Sequence, residues 1–312
     1  MDKKDCRIVF MGTPDIAKCV LEDLIINGYN IIGVVAQPDK PVGRKKILQK
    51  VPTKVVAEKY NIPTFQPVKI RLDYEFLKEL KPDLIITLAY GQIVPQGLLD
   101  IPPLGAINLH GSLLPKYRGA APMQYAIING EKVTGMTLMQ MIDKMDAGLM
   151  YMKREVSILE DDTLTSLTEK MTKAASDLIL EALPLYINGK LPGVPQDENL
   201  VTFSPTIKKE EEHLNLNLPS KTIVNWIRAL NDHPGAYLLL DDNKLKIWKA
   251  KVINDKVTAQ IGEIVSADKK GLIMQARDGQ IALLELQKEG KNKMDYLAFL
   301  NGNQGLKGKV LK

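Results

Sequence analysis

The first part of the chain alternates between two spacings of its apolar residues. Short continuous apolar runs predict buried strands at residues 7–11, 31–36, 84–88 and 106–109. Apolar residues at helical spacing predict one helix carrying Ile16, Val20, Leu21 and Leu24, and two more at residues 55–60 and 74–80. Strands that alternate with helices indicate a parallel sheet covered on both faces.

The pattern then changes twice. Residues 133–141 alternate like a strand, residues 149–156 follow as a partner strand, and residues 163–186 keep a helical period. Residues 188–206 contain glycines, prolines and scattered charge, which is typical of a linker. We therefore expect a first domain at residues 1–187, followed by this linker.

The remaining residues, 207–312, predict a second domain with short strands. One helix is expected at residues 222–230, and strands are expected at residues 236–240, 244–251, 262–267, 272–275 and 281–287. Turn residues separate them, as at Asp278-Gly279. Five short strands in a region of this size favour a small β-barrel of the OB type.

Composition narrows the function classes. The N-terminus has no apolar segment after its basic residues, and no apolar run reaches the roughly 18 residues of a membrane helix. The two cysteines, Cys6 and Cys19, form no CxxC motif, and no HExxH motif is found. We therefore expect a soluble, cytoplasmic protein with no membrane association, disulfide or metal. We also expect a monomer, although no sequence feature points to an oligomeric state.

Charge is unevenly distributed. The net charge of +5 lies entirely after residue 206, where 18 basic residues face 13 acidic ones. An anionic partner would favour such an excess, and a solvated surface explains it equally well. The loop at residues 38–46 is also basic, with Arg44, Lys45 and Lys46 in succession. By itself it is compatible with a solvated surface loop.

Candidate chemistry lies at the end of the strand at residues 106–109. Asn108 and His110 alternate with Leu109, so both side chains are expected on one side of an extended segment. Open α/β sheets bind ligands at the carboxyl ends of their strands. An amide and an imidazole there could stabilise one developing oxyanion, although each could also serve as an ordinary hydrogen-bonding residue.

Two further motifs bear on the candidate chemistry. Asp146 lies in a turn before Ala147-Gly148, where an aspartate often bonds only its own backbone, and spacing alone cannot bring it to His110. Gly12-Thr13-Pro14 after the first strand is not GxGxxG, and no acidic residue is placed to hold a ribose. A nicotinamide dehydrogenase is therefore disfavoured.

The motif Asn-x-His-x-Ser-Leu-Leu-Pro at residues 108–115, with an Asp-x-Gly turn at residues 146–148, resembles the folate-dependent formyltransferase family. The likeness extends from Val9-Phe10-Met11-Gly12 to Leu245-Lys246-Ile247-Trp248, and so covers nearly the whole chain. It implies a Rossmann-like formyltransferase domain followed by an OB-like β-barrel that binds tRNA.

The resemblance also implies residue roles. It makes Asn108, His110 and Asp146 the catalytic residues, and it makes Arg44, Lys45 and Lys46 tRNA-binding residues. It implies a folate pocket lined by Ser112, Leu113, Leu114, Pro115, Leu88, Tyr90 and Ile93. The co-substrate would be 10-formyltetrahydrofolate, and the partner would be the initiator methionyl-tRNA used in translation initiation.

The implied reaction is direct attack of an amine on the formyl carbon, which requires no covalent enzyme intermediate. Three other functions are compatible with these residues. The same transfer could go to an amino sugar on a nucleotide, or the same residues could hydrolyse the carrier to release formate. A non-catalytic RNA-binding protein would leave the Asn–His pair unexplained.

Overall fold

The computed structural model describes residues 2–42 and 47–312. The chain divides into two compact units. The first comprises Met1–Pro122, Val133–Ser157 and Thr168–Ser204, and the second comprises Met123–Lys132, Ile158–Leu167 and Pro205–Lys312. The boundaries drawn from the sequence at residues 187 and 207 remain predictions.

In the described ranges of the first unit, nine strands are found. They are β1 (Ile8–Gly12), β2 (Ile31–Val35), β3 (Lys40–Val42), β4 (Ile47–Gln49), β5 (Thr64–Phe65), β6 (Leu84–Leu88), β7 (Ala106–His110), β8 (Val133–Gln140) and β9 (Met150–Ser157). Seven of them form one sheet in the order β5-β2-β1-β6-β7-β8-β9. The first five of these are parallel, and β8 and β9 are antiparallel. The sheet is therefore mixed, because β8 runs antiparallel to both of its neighbours, β7 and β9.

The central strands β1 and β6 are buried along their whole length, as their continuous apolar runs require. Side chains from both strands, including Val9, Met11 and Ile85, join one apolar cluster with Leu77 and Leu98. This packing fixes the carboxyl ends of β6 and β7 side by side, where Thr87 lies opposite Asn108.

Eight helices are found in the part of the chain that the structure describes. They are α1 (Asp15–Ile26), α2 (Pro52–Lys59), α3 (Glu75–Leu80), α4 (Gln96–Leu99), α5 (Pro122–Ile128), α6 (Leu164–Ile187), α7 (Ser220–Ala229) and α8 (Tyr296–Asn301). None of those described helices is long and apolar enough to cross a membrane.

The second unit contains one antiparallel sheet. Its strands are β10 (Tyr237–Leu240), β11 (Asn243–Asn254), β12 (Ile264–Asp268), β13 (Gly271–Ala276), β14 (Gly279–Lys288) and β15 (Met294–Asp295). Five run in the order β10-β11-β14-β13-β12, and β15 pairs with β14. Apolar residues of β13 and β14 pack against α7 in the core of this unit.

The expected α/β first domain and strand-rich second domain are confirmed. One local prediction needs correction, because the basic segment expected to be a loop begins with β3, which pairs with β4 as a hairpin. Strands of three residues are too short to give a periodic signal. Arg44, Lys45 and Lys46 lie outside the described residues.

Candidate active site

Strand β7 carries the first two candidate residues at its carboxyl end. Asn108 lies between Thr87 of β6 and Met139 of β8, and His110 lies opposite Thr137 of β8. Because side chains alternate along a strand, Asn108 and His110 project from the same face of the sheet. His110 is buried, whereas Asn108 keeps partial exposure.

His110 is held through one ring nitrogen. Its Nε2 lies 2.9 Å from the backbone oxygen of Tyr117. A carbonyl oxygen can only accept a hydrogen bond, so this contact requires Nε2 to carry the proton. The other ring nitrogen, Nδ1, lies 3.6 Å from Oδ1 of Asp146. The structure therefore brings the distant aspartate to the histidine, which spacing alone could not establish.

The Asp146 carboxylate is itself fixed. Its Oδ2 accepts a hydrogen bond of 2.9 Å from the backbone N–H of Gly119. The backbone of Asp146 is left-handed, with a φ of 50°, a conformation that aspartate tolerates better than most side chains do. Its side chain is 15% exposed. One oxygen is thus anchored while the other faces His110.

The segment Ser112, Leu113, Leu114 and Pro115 is pinned to the neighbouring strands. The Thr137 hydroxyl donates to the Ser112 carbonyl at 2.6 Å and accepts from the Leu114 N–H at 3.2 Å. The Lys153 ammonium donates to the Leu114 carbonyl, and burial lowers the pKa of that lysine. The backbone of this segment is therefore defined by its neighbours.

The other residues predicted for the folate pocket follow strand β6. Leu88 and Tyr90 are almost fully buried, whereas the Ile93 side chain is 76% exposed. Within the described ranges, the buried hydroxyls of Thr87 and Tyr90 have no hydrogen-bond partner. Burial also raises the pKa of the Tyr90 phenol. Orphaned polar atoms at the ligand edge of an α/β sheet fit a co-substrate that is rich in donors and acceptors.

Three residues near the candidate site that the sequence did not predict contact one another. The Arg118 guanidinium is buried and paired with Glu198 at 2.8 Å, and its Nε donates to Gln196 at 2.9 Å. Glu198 and Gln196 lie in the segment predicted to be a linker. No signal in the sequence links positions some 80 residues apart. The polar side chains of the 188–206 region are visible in the sequence, but its proline-rich composition is that of a linker. Among the described residues, no cluster of three metal-binding side chains is found.

Family models match most of the chain. The model described as "Formyl transferase" matches residues 6–183, and that described as "Formyl transferase, C-terminal domain" matches residues 206–304. The methionyl-tRNA formyltransferase of Ligilactobacillus salivarius is 48% identical over 96% of both chains. The protein of the same name from Bacillus subtilis is 46% identical, over 98% of this chain and 97% of its own.

Solved structures share the fold at lower identity. The N-formyltransferase of Helicobacter canadensis, in complex with folinic acid and dTDP-3-aminofucose, has a TM-score of 0.67 and is 20% identical, over 91% of this chain and 99% of its own. HypX of Aquifex aeolicus, in complex with tetrahydrofolic acid, has a TM-score of 0.66 and is 19% identical, over 97% of this chain and 48% of its own. With both of its regions matched by formyl transferase models and relatives nearly half identical along its length, the chain belongs to the formyl transferase family.

Proposed function

We propose that this protein transfers the formyl group of 10-formyltetrahydrofolate to the free amino group of initiator methionyl-tRNA. The observation that carries the proposal is the placement of Asp146 at 3.6 Å from His110, beside Asn108 at a strand end. The relatives nearly half identical to this chain are methionyl-tRNA formyltransferases, which supports this acceptor over others.

The catalytic step uses the side chains of Asn108 and His110 at the end of β7. The amine attacks the formyl carbon, and the carbonyl oxygen takes up negative charge as a tetrahedral intermediate forms. The Asn108 amide has no hydrogen-bond partner among residues 2–42 and 47–312, so it can donate to that oxygen. Protonated His110 donates through Nδ1, because Tyr117 occupies Nε2. One such donor typically lowers the barrier by about 3–4 kcal/mol.

Asp146 has two roles in this step, one electrostatic and one in proton transfer. Its carboxylate, held by Gly119, stabilises the imidazolium form of His110. It also accepts the proton that the attacking amine must lose, directly or through water. Collapse of the intermediate breaks the bond to N10 of the carrier, which takes up a proton, and leaves the formyl group on the amine.

The binding residues follow from the same assignment. The folate pocket is formed by the segments after β6 and β7 that contain Leu88, Tyr90, Ile93, Ser112, Leu113, Leu114 and Pro115. Arg44, Lys45 and Lys46 contact the acceptor arm of the tRNA through its phosphates. The antiparallel sheet of the second unit is an OB-like barrel that adds to tRNA binding, and the protein acts as a monomer in the cytoplasm, with domains at residues 1–187 and 207–312.

An acceptor assay tests the proposal. Purified protein is incubated with 10-formyltetrahydrofolate and with charged initiator tRNA, a nucleotide amino sugar, or water alone. We expect formylation of the tRNA to exceed the other two reactions by several orders of magnitude. Transfer only to the sugar, or formate release at the same rate without an acceptor, would overturn the proposal.

A further inference from the structure

The predicted linker region contains a segment that contacts the candidate site within the first unit. This segment, residues 194–204, pairs with the loop at residues 117–121, which follows β7. The Arg118 N–H donates to the Thr202 carbonyl at 2.9 Å, and the Ser204 N–H donates back to the Arg118 carbonyl at 2.8 Å. The segment is therefore hydrogen-bonded to the loop that holds His110.

Its contacts reach the carbonyl that orients the histidine. The Ser204 hydroxyl is buried and donates to the Tyr117 carbonyl at 3.1 Å, the same oxygen that accepts from His110 Nε2. The Thr202 hydroxyl accepts from the Tyr117 N–H at 2.9 Å. Both backbone groups of Tyr117 are thereby fixed by the 194–204 segment.

Gln196 makes the contact with the other half of the pair. Its side-chain Nε2 donates to the backbone carbonyls of Asp146 and Gly148, at 2.8 and 2.9 Å. Its Oε1 accepts from Nε of Arg118 at 2.9 Å. One amide thus uses its donor and acceptor groups to join the turn that carries Asp146 to the loop after β7.

These bonds close a ring around the aspartate. The Asp146 carbonyl is tied through Gln196 to Arg118, while the Asp146 carboxylate is tied directly to the next residue, Gly119. Arg118 is 2% exposed and cannot shift freely, because Glu198 pairs with its guanidinium at 2.8 Å. The backbone of Asp146 is therefore fixed through Arg118, and its side chain is fixed by the adjacent Gly119.

The distance across the His110–Asp146 contact makes this support important. At 3.6 Å, the two groups are beyond an ordinary hydrogen bond and are not held together by one another. Their separation must be set by what each is attached to. A misplacement of about 1 Å at a reacting group can cost on the order of a hundredfold in rate.

We propose that Gln196 is a positioning residue for the formyl transfer, which sets the placement of Asp146 against His110. The inference rests on the proposed function, since it assigns Asp146 to the chemical step. Gln196 contacts neither ring nor carboxylate, so its effect passes through the Asp146 turn. The region predicted to be a linker is then part of the catalytic unit.

Two substitutions separate this role from plain stability. Gln196→Met removes both sets of hydrogen bonds. Gln196→Glu keeps the acceptor for Arg118 and loses the two donations to the turn. Asn199→Ala is the matched control, because Asn199 is exposed in the same segment and its side chain donates to the nearby Asp197 carboxylate rather than to the candidate site. Each variant is measured for kcat, for KM of both substrates and for thermal unfolding.

We expect both Gln196 variants to lose roughly ten- to hundredfold in kcat, with KM within about twofold of wild type. Asn199→Ala should retain wild-type values. If Gln196→Met unfolds at assay temperature, Gln196→Glu provides the same comparison. An unchanged kcat in a folded Gln196 variant, or a loss confined to KM, would overturn the inference.

A double-mutant cycle tests the route of the effect. In the Asp146→Asn variant, the additional substitution Gln196→Met should lower the residual turnover by less than about twofold, because the carboxylate that Gln196 positions is already absent. A full further loss would show that Gln196 acts elsewhere. If the wild-type protein formylates no acceptor, the proposed function is wrong. If the wild-type protein formylates the tRNA and the Gln196 variants do so equally well, only the positioning role is wrong.

Discussion

The two nitrogens of the His110 ring have different surroundings. Nε2 is committed to the Tyr117 carbonyl, an oxygen that the Ser204 hydroxyl also holds. Nδ1 faces the Asp146 carboxylate. The ring is thereby kept in one tautomer when neutral, and protonation adds a donor on the side of the site where Asp146 lies.

Replacement of Asp146 by asparagine tests this arrangement. Asp146→Asn keeps the shape of the side chain and removes the negative charge and the proton acceptor. We expect kcat to fall by about 10²- to 10⁴-fold, with little change in KM for either substrate. Asp177→Asn on helix α6 is the control, since its carboxylate pairs with Lys173 on the surface of the same helix. Near-normal turnover of Asp146→Asn would remove this residue from the mechanism.

Gly119 allows the loop after β7 to pass close to the 194–204 segment. Its φ of 122° is unfavourable for residues with a side chain, and an added Cβ would lie 2.6 Å from the backbone oxygen of Ser204. We expect Gly119→Ala to lower the free energy of unfolding by about 2–3 kcal/mol. Turnover should fall as well, because the Gly119 N–H holds Asp146.

Gly189→Ala is the control for this substitution. Gly189 also has a positive φ, of 66°, but an added Cβ would meet no atom within 4 Å. Its cost should therefore be limited to backbone strain of about 1 kcal/mol, with unchanged turnover. Denaturant unfolding and a turnover assay measure both effects. Equal losses in the two variants would show that the close contact with Ser204 is unimportant.

At the scale of elements, the sequence predicts what is long or periodic. Strand β6 coincides with its predicted residues, and helix α6 differs by one residue at each end, because continuous apolar runs and a sustained helical period dominate there. The two-residue strand β5 and the β3–β4 hairpin were missed. Strands of two or three residues are too short to show a periodic apolar pattern, and β5 is fixed by its pairing with the distant strand β2.

The candidate site shows the same division. Alternation along β7 predicts that Asn108 and His110 share a face, because both residues belong to one strand. The Asp146 contact needed the family resemblance, since it depends on how a turn folds back onto another loop. Gln196 had neither source, because its partners lie about 50 and 80 residues away and its neighbours have the composition of a linker.

Helix α7 of the second unit offers a pH-dependent prediction. The Asp278 carboxylate, in the turn between β13 and β14, accepts the Ser220 N–H at 2.7 Å at the start of the helix. This backbone hydrogen bond lowers the pKa of Asp278. A carboxyl with a lowered pKa contributes stability above its ordinary pKa of about 4, and that contribution is lost as the pH falls through the lower, folded value.

Asp278→Asn should therefore destabilise the protein by about 0.5–1 kcal/mol at neutral pH, at the low end for a cap because the side chain is exposed. The difference from wild type should shrink below about pH 4. Denaturant unfolding curves of both proteins, recorded at intervals of about one pH unit from about pH 2 to pH 7, measure this difference in the free energy of unfolding. Asp255→Asn, at an exposed position of the same unit, should show no such trend. A difference independent of pH would rule out the charge as its cause.

For the whole molecule, charge placement suggests how a large anionic partner is recognised. The first 206 residues are balanced, with 24 basic and 24 acidic side chains, so the basic run Arg44-Lys45-Lys46 stands out locally. The last third carries the net excess. Two separate basic regions suit a tRNA that is contacted at more than one place, and phosphate contacts make its binding salt-dependent.

Replacing Arg44, Lys45 and Lys46 together by alanine should reduce this salt dependence. Each lost phosphate contact reduces the steepness of the negative slope of log K against log salt concentration by about 0.7–0.9. The slope of the triple variant should therefore be less steep than that of the wild type by about two units or more. Binding of charged initiator tRNA is measured at several salt concentrations. Lys173→Ala is the control, because it removes a positive charge that pairs on the surface of helix α6. If the triple variant kept the wild-type slope, the phosphate contacts would have to come from the basic C-terminal third alone.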